Sequence, residues 1–274
     1  MTRQLSTFLF VLIAVASSAT EGRQKQPADT AAIRVPTELR QIPQSAFRLG
    51  ERLVFDVNYS LFTAAEAVFS VNPADSVQGR EAWQILFTVQ TTRFFSRIFT
   101  VEDRYESIID AGGVFPWRYQ QHVREGKYSL DYGASFDQLR HIAKGEGGVF
   151  KIPPYTHDVV SAFFFARTLD YSTMRPGQRV EYKNFFRDST YALGIKFLGY
   201  QQIEVDAGTF NCLLVEPLIK EGGLFKSEGR VLIYLSNDER KIPVKVVTKV
   251  LIGSINAELR EYSGLTGPLP SKVE

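Results

Sequence analysis

Apolar and polar residues alternate along most of this chain, and a period of two predicts strands. Leu53, Phe55, Val57 and Tyr59 share one face, with Arg52, Asp56 and Asn58 among the residues opposite. Ala65, Ala67, Phe69 and Val71 repeat the pattern, as do Trp83, Ile85, Phe87 and Val89. Trp117, Tyr119 and Val123 follow Gly112-Gly113, and Tyr128, Leu130, Tyr132 and Phe136 come next. A second run opens with Val180, Tyr182 and Phe186 and continues through Tyr191, Leu193, Ile195 and Phe197. Phe210, Cys212 and Leu214 follow, then Val231, Ile233 and Leu235, then Val244, Val246 and Val250, and finally Ile255, Ala257 and Leu259. Turns at 145–148, 206–208 and 236–240 are short, so antiparallel pairing is expected rather than crossover helices.

One segment changes period. Pro153-Pro154 ends the strand before it, and Val159, Val160, Phe163, Phe164 and Arg167 fall at helical spacing with Asp158 placed to cap the first turn. Pro176-Gly177 closes the segment. The reading is one helix over about 158–170, too apolar to stand free and expected to pack on a sheet. The fold class is therefore mainly β: a strongly curved antiparallel sheet or partly closed barrel with one packed helix.

The ends differ from the middle. Thr2-Arg3-Gln4, the apolar run from Leu5 to Ala16 and the small residues Ser17-Ser18-Ala19 predict a secretory signal peptide over 1–19. Residues 20–46 are mostly polar and carry Pro27, Pro36 and Pro43, which predicts a flexible linker or arm. A single β-rich domain is expected over 47–262, with strand runs 47–152 and 177–262 around the helix. Gly264, Gly267, Pro268 and Pro270 predict a loose tail over 263–274.

Composition narrows the field further. The chain has 21 Phe, 12 Tyr and 2 Trp, residues that suit strands. Cys212 is the lone cysteine, so an internal disulfide is excluded and the core must hold by burial. The net charge is +2 without blocks of one sign, which argues against nucleic acid as a partner. No stretch after residue 19 approaches a membrane span, so none is expected in the mature chain. An exported location follows from the leader, and a periplasmic one if the organism is a double-membrane bacterium.

Several phrases carry a resemblance. They are Gly50-Glu51-Arg52-Leu53-Val54-Phe55-Asp56-Val57, His157-Asp158-Val159-Val160-Ser161-Ala162, Leu198-Gly199-Tyr200, Val205-Asp206-Ala207-Gly208-Thr209-Phe210, Leu235 to Val244, and Ile252-Gly253-Ser254-Ile255. Their order and spacing resemble domain-of-unknown-function family 3108, a group of bacterial exported envelope proteins. The chain departs from it in Ala64-Ala65, where the family tends to have Ala-Gly, and at Asn237, where Asp is frequent. The resemblance implies an envelope protein with a β-rich domain and supplies no catalytic residue.

The chemistry is sparse. There is no phosphate-cradling loop, no dinucleotide fingerprint, no His-Glu-x-x-His and no Gly-x-Ser-x-Gly. His122, His141 and His157 show no metal-ligand spacing, and no metal or cofactor is expected. His157-Asp158 reads as an acid–base pair or, more simply, as a helix start capped by Asp158. Cys212 reads as a buried small hydrophobe rather than a nucleophile. Glu102-Asp103-Arg104 and Asn237-Asp238-Glu239-Arg240 gather charge; close carboxylates bind a cation or share a proton, while the second group also reads as a turn bonding its own backbone. Trp83, Phe87, Trp117, Tyr119, Tyr128 and Tyr132 either fill a core or line a concave wall for an apolar ligand. The leading expectation is a non-enzymatic envelope protein that binds a lipid-like amphiphile in the hollow of the sheet. The alternative is an interaction module that docks an envelope protein by strand addition.

Overall fold

The computed structural model describes residues 38–60, 62–220, 230–249 and 254–273. The signal peptide predicted over 1–19, the first part of the arm and Val250 lie outside the described residues. Fourteen strands form one antiparallel sheet. The first run is β1 (Arg52–Tyr59), β2 (Phe62–Val77), β3 (Arg80–Thr91), β4 (Glu102–Asp110), β5 (Pro116–Glu125), β6 (Tyr128–Asp137), β7 (Ile142–Gly145) and β8 (Gly148–Lys151). The second is β9 (Arg179–Phe186), β10 (Ser189–Val205), β11 (Gly208–Lys220), β12 (Val231–Ser236), β13 (Pro243–Lys249) and β14 (Ser254–Ser263). Each run is a meander of neighbouring strands, and β1 joins them by pairing with β14, Val57 opposite Ala257.

The alternating residues explain the curl. Leu53, Phe55, Val57, Ala65, Ala67, Phe69, Ile85, Phe87, Ala257 and Leu259 are all buried in one continuous core drawn from both runs. A sheet with one apolar face must cover it, and here the sheet rolls onto itself. Its two edges approach without pairing: Phe185 of β9 lies 6.0 Å from Phe136 and 5.8 Å from Phe150 across the seam. His157 fills the gap beside β9, donating from its N–H to Lys183 O (2.8 Å) and accepting from Phe185 N–H (2.7 Å). The sheet is strongly curved and not closed.

The helix α1 spans Val159–Arg167. Asp158 caps it, accepting from the N–H groups of Val160 (2.8 Å) and Ser161 (2.9 Å), while Ser161 Oγ accepts from Asp158 N–H (3.0 Å). It ends three residues short of the predicted 170. Thr168 Oγ1 donates to Phe165 O (2.8 Å) and Tyr171 Oη to Ala166 O (2.9 Å), so side chains take the last carbonyls and turn the chain. At about 1.5 Å per residue α1 runs roughly 13 Å, at one mouth of the curl. Its start is tied to β4, where Ser107 Oγ donates to Asp158 Oδ2 (2.6 Å). Its end is tied beside β1 by Arg167, which is wholly buried and grips Glu51 through two bonds of 2.6 and 2.9 Å.

The same mouth carries both flanking segments. Arg40 of the arm donates to Gly113 O (2.8 Å) and Val114 O (2.9 Å), and Ile42 N–H donates to Gly112 O (2.7 Å). Residues 263–273, for all their Gly and Pro, do not trail free. Gly264 (φ 73°) passes so near Gly50 that a Cβ there would lie 1.8 Å from its carbonyl oxygen. Beyond it Leu269 is buried, Asn211 N–H donates to Ser271 O (2.8 Å) and Val273 N–H to Thr209 O (2.9 Å). Among the described residues no helix is long and apolar enough to cross a membrane.

Candidate functional site

The inner face of β4 and β5 departs from the apolar lining elsewhere. On β4 it presents Asp103, Tyr105 and Ser107, and on β5 Tyr119, Gln121, Val123 and Glu125, all buried. Tyr105 pairs with Gln121 and Ser107 with Tyr119, so the polar groups form a track along two neighbouring strands. It starts near the β5–β6 turn with Glu125 and ends under α1 with Asp158.

Much of the track is internally bonded. Tyr119 Oη donates to Gln121 Oε1 (2.7 Å), and Arg124 N–H donates to Asp103 Oδ1 (2.8 Å). One group remains: Gln121 Nε2 is buried without a hydrogen-bond partner among the described residues, while the Glu125 carboxyl has only the neighbouring Asp103 carboxyl to bond. Such groups cost free energy unless something satisfies them. Burial, reinforced by the facing Asp103 carboxylate, pushes the Glu125 carboxyl up to about 9, so it is protonated at neutral pH. Burial also raises Asp103 to about 6, against the pull of its backbone bond. The track thus offers one unused N–H donor, Gln121 Nε2, inside an aromatic wall.

At the far end, Arg40 Nη2 lies 3.3 Å from His157 Nε2, and His157 Nδ1 lies 3.2 Å from Ser161 Oγ. Burial first, then the Arg40 charge, holds His157 well below the usual imidazole range, so it is neutral. With Arg40 donating to Nε2, the ring proton belongs on Nδ1. Asp158 spends its carboxylate on Ser107 and the first turn of α1, and His157 and Asp158 do not form an acid–base pair. Cys212 is buried, and burial pushes its thiol up to about 12, the character of a core residue. Asp238 Oδ1 accepts from Arg240 N–H (2.9 Å) and Lys241 N–H (3.2 Å), so the 237–240 cluster is a turn bonding its own backbone.

The six aromatic candidates separate. Phe87, Tyr119 and Tyr132 come together on the inner face: Phe87 lies 6.0 Å from Tyr105, and Tyr119 lies 6.3 Å from Tyr132. Trp83 is half-buried near the helix end, 6.0 Å from Phe47, its Nε1 donating to Glu81 (2.8 Å). Tyr128 stands at the rim, where its Oη lies 3.4 Å from Arg187 Nη2. Trp117 falls at a bulge, because Ile108 pairs with Arg118 but Ile109 with Pro116. It joins a separate cluster with Phe115, Ala82 and Ile108 on the outer face. An open groove of about 520 Å³ on the outer face, bordered by Met174, Gln178, Arg179, Lys196 and Leu218, contains none of the six.

Sequence reasoning missed Gln121, Glu125 and the inward role of Asp103. The available signal was parity: Gln121 and Glu125 keep step with Tyr119 and Val123. Among the described residues no group of three or more His, Cys, Asp or Glu is placed to hold a metal ion.

A family model described as "Protein of unknown function (DUF3108)" matches residues 54–260. No curated protein matches. Among solved structures, a β-barrel-like protein of domain of unknown function DUF1849 from Brucella abortus is similar at 10% identity with a TM-score of 0.51, covering 82% of this chain and 99% of that one. The hypothetical protein CT021 from Chlamydia trachomatis is similar at 12% identity and a TM-score of 0.35, covering 83% of this chain and 93% of that one. The first likeness is one of fold alone.

Proposed function

The chain belongs to the DUF3108 family, and from that premise we propose that it is an exported envelope protein that binds an apolar or amphipathic ligand in the hollow of its curved sheet, without performing chemistry on it. The leader-like sequence over 1–19 supports export, to the periplasm in a double-membrane bacterium. One observation carries the binding reading: Gln121 Nε2 is buried, without a hydrogen-bond partner among the described residues, and set on the wall formed by Tyr105, Tyr119, Tyr132 and Phe87, with the protonated Glu125 carboxyl beside Asp103 at one end of it. A ligand with an apolar body and an oxygen acceptor, such as an ester or acyl carbonyl, satisfies that donor and covers the rings. Partner docking by strand addition has weaker support. The edge strand β8 is only four residues long, and β9 carries Arg179 and Glu181 along the part that His157 does not bond.

Mass spectrometry of small molecules extracted from mature protein, purified out of its native envelope, tests the proposal. The expected result is about one amphiphile per chain, lost in Gln121→Leu. A protein that emerges empty and takes up nothing from a membrane lipid extract sinks it.

A further inference from the structure

In an antiparallel meander alternate turns fall at opposite ends. The β1–β2, β3–β4, β5–β6, β7–β8 and β9–β10 turns therefore share the end opposite α1. Among the described residues, six of the eight exposed large apolar side chains lie there: Tyr59, Phe62, Phe94, Ile98, Tyr128 and Val149. Phe62, Phe94 and Ile98 are 64, 66 and 67% exposed. Such a cluster on one end of a domain marks an interaction surface.

The β3–β4 connection explains how they are held out. It contains a single 3-10 turn, Phe95–Arg97. Phe95 and Phe99 are half-buried, while Phe94 and Ile98 are exposed, the Phe94 ring resting edge-on against Phe95 (5.5 Å), with exposed Arg93 and Arg97 beside them. The segment is pinned on both sides. Thr92 N–H donates to Ala64 O (2.9 Å), and Gly126 N–H donates to Thr100 O (2.8 Å). Gly126 (φ 57°) lets the β5–β6 turn close over Phe99, where a Cβ would meet the ring at 2.8 Å. Phe94 and Ile98 are therefore displayed by a fixed scaffold. Among the described residues neither Arg93 nor Arg97 forms an ion pair.

We propose that this end docks on an anionic lipid bilayer, with Phe94, Ile98 and Phe62 entering the headgroup–acyl boundary and Arg93 and Arg97 pairing with lipid phosphates. Large apolar side chains standing in solvent with arginines flanking them are what interfacial binding to an anionic bilayer requires. Glu125 and Asp103 lie just inside the same end. Docking would bring the mouth of the track to the bilayer surface, but the inference stands on the exposed residues and not on the hollow.

The test is flotation of the mature chain with vesicles of phosphatidylglycerol and phosphatidylethanolamine, against vesicles of phosphatidylcholine alone. Wild type should float with the anionic vesicles and release as salt rises. Phe94→Ser with Ile98→Ser, and separately Arg93→Glu with Arg97→Glu, should each cut the bound fraction about tenfold or more while leaving the circular dichroism spectrum unchanged. Wild type that stays unbound, binding equal on both vesicle types, or variants that float like wild type overturn it. Capture of a protein partner by the same tip, with vesicles unbound, overturns it too. An empty protein that still floats would sink the ligand reading and leave this one standing.

Discussion

The two ends of the curled sheet bury and display their side chains in opposite ways. At one end Arg167, a residue type rarely hidden, is wholly buried: it holds Glu51, donates to Ala46 O (2.7 Å) and Arg240 O (3.1 Å), and lies 5.0 Å from the Phe164 ring. At the other, Phe94 and Ile98 stand two-thirds exposed on a turn that is itself well tied. A fold with material enough to hide an arginine had the means to hide a phenylalanine. The contrast sets an end whose charged groups are buried and fully bonded against an end whose large apolar groups stand in solvent.

The sharpest way to break the comparison is to unpair the helix end. Arg167→Met leaves the Glu51 carboxylate buried without a partner and should cost about 3–5 kcal/mol in urea unfolding. Adding Glu51→Leu should recover most of that loss, since a well-packed apolar pair avoids the desolvation of both charges. A single variant that loses less than about 1 kcal/mol would show that Arg167 is not what secures α1.

Next in size is the other end of α1. Asp158→Ala removes two backbone bonds and leaves Ser107 Oγ without its acceptor. About 1–2 kcal/mol should be lost, with amide exchange accelerating first at Val160 and Ser161. Uniform protection across α1 in the variant would rule out the cap as its anchor.

A third test probes the track between the ends through its pH dependence. The folded pKa of Glu125, about 9, lies above its ordinary value of 4.5. The proton is bound more tightly in the folded chain, so this contribution to stability is full below about pH 4.5 and is lost as pH rises towards 9. Glu125→Gln keeps a neutral donor of the same shape. It should match wild type near pH 4 and exceed it by about 1 kcal/mol or more at pH 8. Identical pH profiles for the two proteins would mean that Glu125 reaches water.

Legibility followed chemistry along the strands. Eleven of the strands announce themselves because one face is apolar: Leu53, Phe55 and Val57, or Ile255, Ala257 and Leu259, can only be an inward row. Asp158 marked the helix start for the same kind of local reason. β4 was hidden, because Glu-Asp-Arg-Tyr-Glu-Ser puts polar residues on both faces, and Asp103 reads from the sequence as the neighbour of the Glu102 carboxylate in a charged group. The carboxyl it bonds is that of Glu125, 22 positions away and brought beside it only by the pairing of β4 with β5. The aromatic wall was half-visible: parity placed Phe87, Tyr119 and Tyr132 correctly together, but no alternation rule anticipates the bulge that turns Trp117 outward. The candidate site was obscure where its residues are polar, since a polar inner row breaks the very signal that reveals a strand.

The smallest expected effect is the most discriminating one for the comparison. Phe94→Ser with Ile98→Ser removes two large side chains, a change that costs several kcal/mol in a core. If the turn end is a display surface, those side chains touch little in the free protein. The pair should then shift stability by no more than about 0.5 kcal/mol, and urea midpoint and slope should both stay put. Phe99→Ser, and to a smaller degree Phe95→Ser, should be destabilising, because Phe99 packs against the main core and Phe95 is half-buried. A loss on the outward pair as large as on the inward ones would mean that Phe94 and Ile98 hold the fold together, and the two ends would no longer differ in kind.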